Sequence, residues 1–217
     1  MKNELIKKAF SEIENQTFGT TEQYLEVHNV EIENGNPKVE RVDMESFNDV
    51  NIVYFPIQDE PFFLTVHFSK ETHELLGVGT ENGNQVYLTA TSENLTFEQL
   101  SELTTLKGLS GWSVNDDRKN GKGKYTFSHL SFEPTKSRAY DLDTKLKLLL
   151  TELEKDVDGI KKLTEMSDAG ISIHHQQYID GNKGINFDIE TINRLSRLNL
   201  GIDIDQYVFG NELKSVL

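Results

Sequence analysis

The stretch from Asp141 to Val208 constrains the fold most, because four elements can be read from it in order. Leu142, Leu146, Leu149, Leu153, Val157, Ile160 and Leu163 recur at steps of three or four residues, which lays one apolar stripe along a helix. Asp141 can cap that helix by accepting from its free first-turn N–H groups. Leu148 and Leu150 broaden the stripe, so the helix is expected to lie on a sheet. Gly159 interrupts it at a cost of about 1 kcal/mol against alanine, and a bend or break is expected there. Alternation then predicts a strand over 169–179, with Ile171, Ile173 and His175 on one face and Ser172, His174 and Gln176 on the other. Asp180-Gly181-Asn182-Lys183-Gly184 reads as a turn. Asn186 or Asp188 can cap a second helix bearing Ile189, Ile192, Leu195 and Leu198, with Gly201 as its stop. A last strand places Ile202, Ile204 and Val208 on one face and Asp203, Asp205 and Tyr207 on the other.

The residues before this block read as sheet for it to cover. A first helix runs from about Asn3 to Asn15, with Leu5, Ile6, Ala9, Phe10 and Ile13 on one side. Phe18-Gly19-Thr20-Thr21 reads as a linker. Asn34-Gly35 and Asn82-Gly83 both read as hairpin turns, the second joining strands over 75–80 and 85–91. Strands over 51–57 and 62–69 flank Gln58-Asp59-Glu60-Pro61. Residues up to about Ser92 are therefore one helix plus an antiparallel meander. Thr96 with Gln99 forms a capping-box pattern ahead of a short helix bearing Phe97, Leu100, Leu103 and Leu106. Trp112 sits in a short strand, 116–124 reads as a mobile loop, and 125–132 as another strand. The class is α+β: antiparallel sheet with helices packed on one face. The chain either divides into 1–92 and 93–217 or packs as one compact unit, and the lack of a Pro/Ser-rich linker favours close packing.

The 217 residues hold no cysteine, which excludes disulfides and thiolate chemistry. The opening helix carries acids and no continuous apolar run, unlike a signal peptide, and a cytoplasmic home is expected. The formal net charge of −14 repels phosphate backbones and anionic lipid, so nucleic acid and membrane are disfavoured partners. Such a surface would steer toward a basic protein or a cation, and it also serves plain solubility.

Leu95-Thr96-Phe97-Glu98-Gln99, Gly111-Trp112-Ser113, the leucine helix, Ile171 to Ile173 and Gly201-Ile202-Asp203-Ile204-Asp205-Gln206-Tyr207 occur in an order that resembles the bacterial domain-of-unknown-function family 4279 over about 85–209. The Leu-Gly-x-Pro element of that family is missing from Leu103 to Gly108. The resemblance implies a ferredoxin-like arrangement for the C-terminal part and carries no activity.

Asp203 and Asp205 lie about 6.5–7 Å apart along one strand face. They suit a hard cation or acid/base work, or simply a solvated outer face. His174 and His175 point oppositely and cannot share a metal from a regular strand. His175 shares the apolar side and reads as a hydrogen-bonded core histidine. If their strands are neighbours, His174 with Asp203 or Asp205 is the one zinc-like or acid/base cluster the sequence offers, and Tyr207 shares that face. Trp112 reads as a core anchor, and Tyr54, Phe55, Phe62 and Phe63 as core or as a partner surface. Asn120 to Lys124 lacks phosphate-loop spacing, and no nucleophile elbow or HExxH occurs. No cofactor is expected. Three roles follow: a non-enzymatic binding module such as an immunity-type inhibitor of a basic toxin, a small-ligand or regulatory module, and an enzyme using His174, Asp203, Asp205 and Tyr207.

Overall fold

The computed structural model describes residues 1–181 and 184–214. Asn182 and Lys183, the middle of the turn expected at 180–184, lie outside the described residues.

Helix α1 (Lys2–Asn15) buries Leu5 and Ala9 and ends at Gln16 in the left-handed region. The linker expected next is instead the start of α2 (Gly19–Val27). Glu12 joins the two helices. Its buried carboxylate accepts from the Phe18 amide at 3.1 Å, the Thr17 amide at 3.3 Å and the hydroxyls of Thr17 and Thr21. Burial alone would raise its pKa, but these donors outweigh burial and hold it below the usual value.

Strands β1 (Ile32–Glu33) and β2 (Asn36–Pro37) form the expected hairpin, with φ of 51° at Asn34 and 80° at Gly35. Strands β3 (Arg41–Asp43), β4 (Val50–Pro56), β5 (Phe63–Ser69) and β6 (Leu75–Glu81) make an antiparallel sheet in that order. Leu5 and Ala9 pack on Val53, Phe55, Leu64 and Val66 from one side, while Ile52, Tyr54, Phe63 and Ala139 cluster separately. Tyr54, Phe55, Phe62 and Phe63 are all buried, so they are core rather than a partner surface.

The second Asn-Gly pair does not form a hairpin. Strand β7 (Gly83–Ser92) leaves the first sheet and becomes the central strand of a second, ordered β11-β10-β7-β9-β8. The sheets part at Asn82. Gly83 is required there by close approach: a Cβ would lie 1.8 Å from the Pro61 carbonyl oxygen.

After β7 come α3 (Phe97–Glu102), β8 (Ser110–Trp112), β9 (Ser128–Phe132), α4 (Leu142–Leu153), α5 (Val157–Met166) and β10 (Asp168–Tyr178). This is a βαββαβ unit with spatial order β10-β7-β9-β8, the ferredoxin-like arrangement. α6 (Ile189–Leu198) and β11 (Gly201–Phe209) extend it. β11 runs parallel to β10, so the sheet is mixed rather than wholly antiparallel. All four helices lie on one face, where Leu100, Leu149, Ile160 and Leu198 share a core with Val86, Leu130 and Ile173. The loop after Trp112 is tied across its base, by the Asn115 amide on the Tyr125 carbonyl and the Tyr125 amide on the Asp116 carbonyl, both at 2.9 Å.

The leucine helix breaks at Glu154–Asp156, ahead of Gly159. Asp156 accepts from the Gly159 amide at 3.1 Å and the Thr104 hydroxyl at 2.7 Å. A Cβ on Gly159 would lie 2.2 Å from that carboxylate, so the glycine accommodates a folded-back cap. Leu148 faces outward, as do Ile189 and Ile192; α6 instead turns Thr191, Leu195 and Leu198 inward. Asn199, left-handed at φ 58°, stops α6, and Gly201 already belongs to β11.

Candidate functional site

Among the described residues, no helix lies over the face of the five-stranded sheet opposite α3 to α6. Strand alternation and register fix what stands on it. β7 offers Gln85, Tyr87, Thr89 and Thr91; β10 offers Ser172, His174 and Gln176. β11 offers Asp203, Asp205 and Tyr207, paired in register with Ser172, His174 and Gln176. His174 is the hub. Its Nε2 lies 3.1 Å from the Tyr87 hydroxyl and 3.5 Å from Asp205 Oδ2. Its ring meets Tyr87 edge-on at 5.5 Å and Tyr207 at 6.3 Å. Burial raises the Tyr87 phenol above its ordinary value.

The structure therefore gathers His174, Asp205 and Tyr207 and adds Tyr87, which sequence reasoning missed. Asp203 stands one pair further on, where it borders a shallow hollow of about 330 Å³ left by Gly170 and Gly201. Among the described residues, no group of three or more His, Asp and Glu side chains is placed to hold a metal ion. The His174–Asp205 pair lies open to water, with the Asp205 side chain 57% exposed.

At the far edge Trp112 stands on the same face. It is stacked between Tyr125 at 4.5 Å and His129 at 4.4 Å, and its Nε1 donates to the Phe127 carbonyl at 3.1 Å. It is half-buried on the sheet surface instead of anchoring the core.

A model for a domain of unknown function, DUF4279, matches residues 81–209. The chain belongs to the DUF4279 family. No curated protein and no solved structure matches it significantly. The DUF4279 segment opens one residue before the crossing at Asn82 and closes on the last residue of β11. It thus contains the whole five-stranded sheet, its helices and the uncovered face. Among the described residues, no helix is long and apolar enough to cross a membrane.

A second polar cluster lies inside, where the DUF4279 sheet meets the N-terminal one. His175 Nδ1 donates to Asn84 Oδ1 at 2.7 Å, and its Nε2 accepts from Asn82 Nδ2 at 3.1 Å. Asn84 Nδ2 donates to the Tyr140 carbonyl at 2.8 Å and to the Asn82 carbonyl at 3.3 Å. The buried Lys145 ammonium donates to the carbonyls of Asn84 at 2.7 Å and Ser137 at 2.8 Å, with Glu133 Oε1 at 3.6 Å. Burial pushes Lys145 down to about 8, so it remains charged at neutral pH. The signal for it was a lysine on the leucine side of α4, three residues after Leu142 and four before Leu149.

Burial likewise lowers the imidazole pKa of His28, His129 and His175. Between those lowered values and the ordinary 6.5, the unfolded chain binds protons that the folded chain does not. Stability therefore falls as pH drops below about 6.5. A urea midpoint measured from about pH 7.5 to pH 5.5 should decline steadily, and a flat profile would contradict the burial of these rings.

A cavity of about 760 Å³ forms a trough lined by Arg41, Ser137, Tyr140 and Leu148. Arg41 is already engaged there. It donates to the Ala139 carbonyl at 2.9 Å, pairs with Asp43 at 2.9 Å and lies 3.5 Å over the Tyr140 ring. The trough is a seam between layers.

Proposed function

We propose that this chain is a non-enzymatic protein-binding module that holds a basic protein against the uncovered face of its five-stranded sheet. The observation that carries the reading is the asymmetry of that sheet. One face is closed by four helices, and the other bears aromatic rings and carboxylates with no helix over it among the described residues. Tyr87, His174 and Tyr207 supply rigid contact area, and Asp203 and Asp205 supply charge. The formal charge of −14 supports a cationic partner through steering. An immunity-type inhibitor that caps a basic toxin would use these features directly.

Reversing both carboxylates, Asp203→Lys with Asp205→Lys, is expected to weaken capture of the partner roughly 10–100-fold at low salt. Pull-down from the native lysate at low and high salt, followed by calorimetry on the captured protein, measures this. Unchanged affinity would remove the charge argument.

A small-ligand role is the second reading. A cavity of about 450 Å³ near the inner polar cluster is lined by Asn82, Asn84, His175 and Asp141. Among the described residues the buried Asp141 Oδ2 has no hydrogen-bond partner. This reading ranks second because His175, Asn82 and Asn84 already satisfy one another. A thermal-shift screen that finds a stabilising compound would reverse the order.

A further inference from the structure

We propose that the outer edge of β11 is a docking strand, which takes an extended basic segment of another protein by β-strand addition. The inference rests on the protein-binding reading and specifies how the partner is held. Sheet edges with unpaired peptide groups invite pairing, and proteins usually blunt them. Of the four edges of the two larger sheets, three are blunted. β8 and β3 are only three residues long, and α2 packs against β6. β11 is different. It is nine residues long, pairs with β10 without a register break, contains no proline or lysine, and has no strand on its far side among the described residues. Ile179, Ile189, Ile192, Tyr207 and Val208, all from the segment that runs from the end of β10 to β11, are exposed.

The direction of the free peptide groups can be read from one bond. The Phe209 carbonyl accepts from the Ile179 amide at 2.9 Å, so Phe209 faces inward toward β10. Alternation then turns the N–H and C=O groups of Ile202, Ile204, Gln206 and Val208 outward to the open edge. Asp203 and Asp205 stand on the uncovered sheet face beside that edge. A second copy of β11 laid antiparallel would set these carboxylates against their own kind, which is unfavourable across strands. An added strand with lysine or arginine on alternate residues would set cations beside them and put its other side chains next to Ile202 and Ile204. Charge therefore selects a basic partner strand over self-pairing.

The test uses the full chain and a capped nonapeptide alternating lysine with valine. Amide hydrogen exchange is followed with and without peptide. Binding should slow exchange about tenfold or more at Ile202, Ile204 and Gln206. Val208→Pro removes one outward N–H at a side chain 56% exposed, a placement that edge strands tolerate. It should abolish that protection, whereas Val208→Thr, which keeps the N–H, should retain it. A glutamate–valine peptide should give none. Protection absent from β11 in the wild-type chain would overturn the inference, as would equal protection by the acidic peptide or β11 protection that grows with protein concentration alone. If β11 stays unprotected while Asp203→Lys with Asp205→Lys still weakens capture of the native partner, only the strand-addition mode falls. If the charge reversal also leaves capture unchanged, the protein-binding surface itself is wrong.

Discussion

Replacing Gly83 by alanine should cost about 3 kcal/mol or more, an overpacking penalty that cannot relax onto a side chain. The added methyl would meet backbone: the Pro61 carbonyl oxygen at 1.8 Å and its carbon at 3.0 Å. Pro61 belongs to the connection between β4 and β5, and Gly83 opens β7, so relief would require the two sheets to separate locally. For a chain of this size each kcal/mol shifts the midpoint by roughly 2–4 °C, so Tm should fall by roughly 6–12 °C. Circular dichroism melts measure it. Gly77→Ala is the control, because a methyl there meets nothing within 4 Å. Equal melts for the two variants would contradict the close approach at the crossing.

Asn84→Ala should be comparably damaging for a different reason. The side chain is 1% exposed and answers three groups: the His175 Nδ1–H, the Tyr140 carbonyl and the Asn82 carbonyl. Each buried group left without a partner costs about 1–3 kcal/mol, so the total should reach about 3 kcal/mol. Chemical denaturation of Asn84→Ala, His175→Ala and the double variant separates packing from bonding. The two changes should be non-additive by about 1 kcal/mol or more, because the second removes a group the first has already orphaned. Strict additivity would mean that the ring and the amide do not act as one unit.

Features that depend on local hydrogen-bond chemistry were legible in the sequence. Thr96 with Gln99, Asp141 and Asp188 cap helices as read, and Asn34-Gly35 turns a hairpin. Asn82-Gly83 carries the same dipeptide and does something else. One glycine serves a positive φ, and the other serves a contact with residues distant in sequence. Nothing within a local window separates those demands. The same limit explains Gly159, whose neighbour is a carboxylate folded back from Asp156, and Ile189 with Ile192, which fit a helical period that tertiary packing left outside. α2 was missed because glycine and two threonines open it, residues that read locally as a linker. For the candidate site, alternation placed His174 opposite His175 and put Asp203, Asp205 and Tyr207 on one face. Joining His174 to Asp205 required knowing that β10 and β11 are parallel neighbours, and Tyr87 comes from a strand 87 residues away.

Tyr178 has one further consequence. It ends β10, a strand of the C-terminal sheet, yet its ring is buried in the other core, 4.9 Å from Phe62 and 5.9 Å from Tyr24. Its hydroxyl donates to the Asn211 carbonyl at 2.7 Å, just past β11. One side chain thus ties the first helix layer, the inner end of β10 and the chain leaving β11. Removing that ring would loosen the packing of α2 and the chain leaving β11 together. The N-terminal layer and the end of β11 therefore share the packing and the hydrogen bond of this one residue.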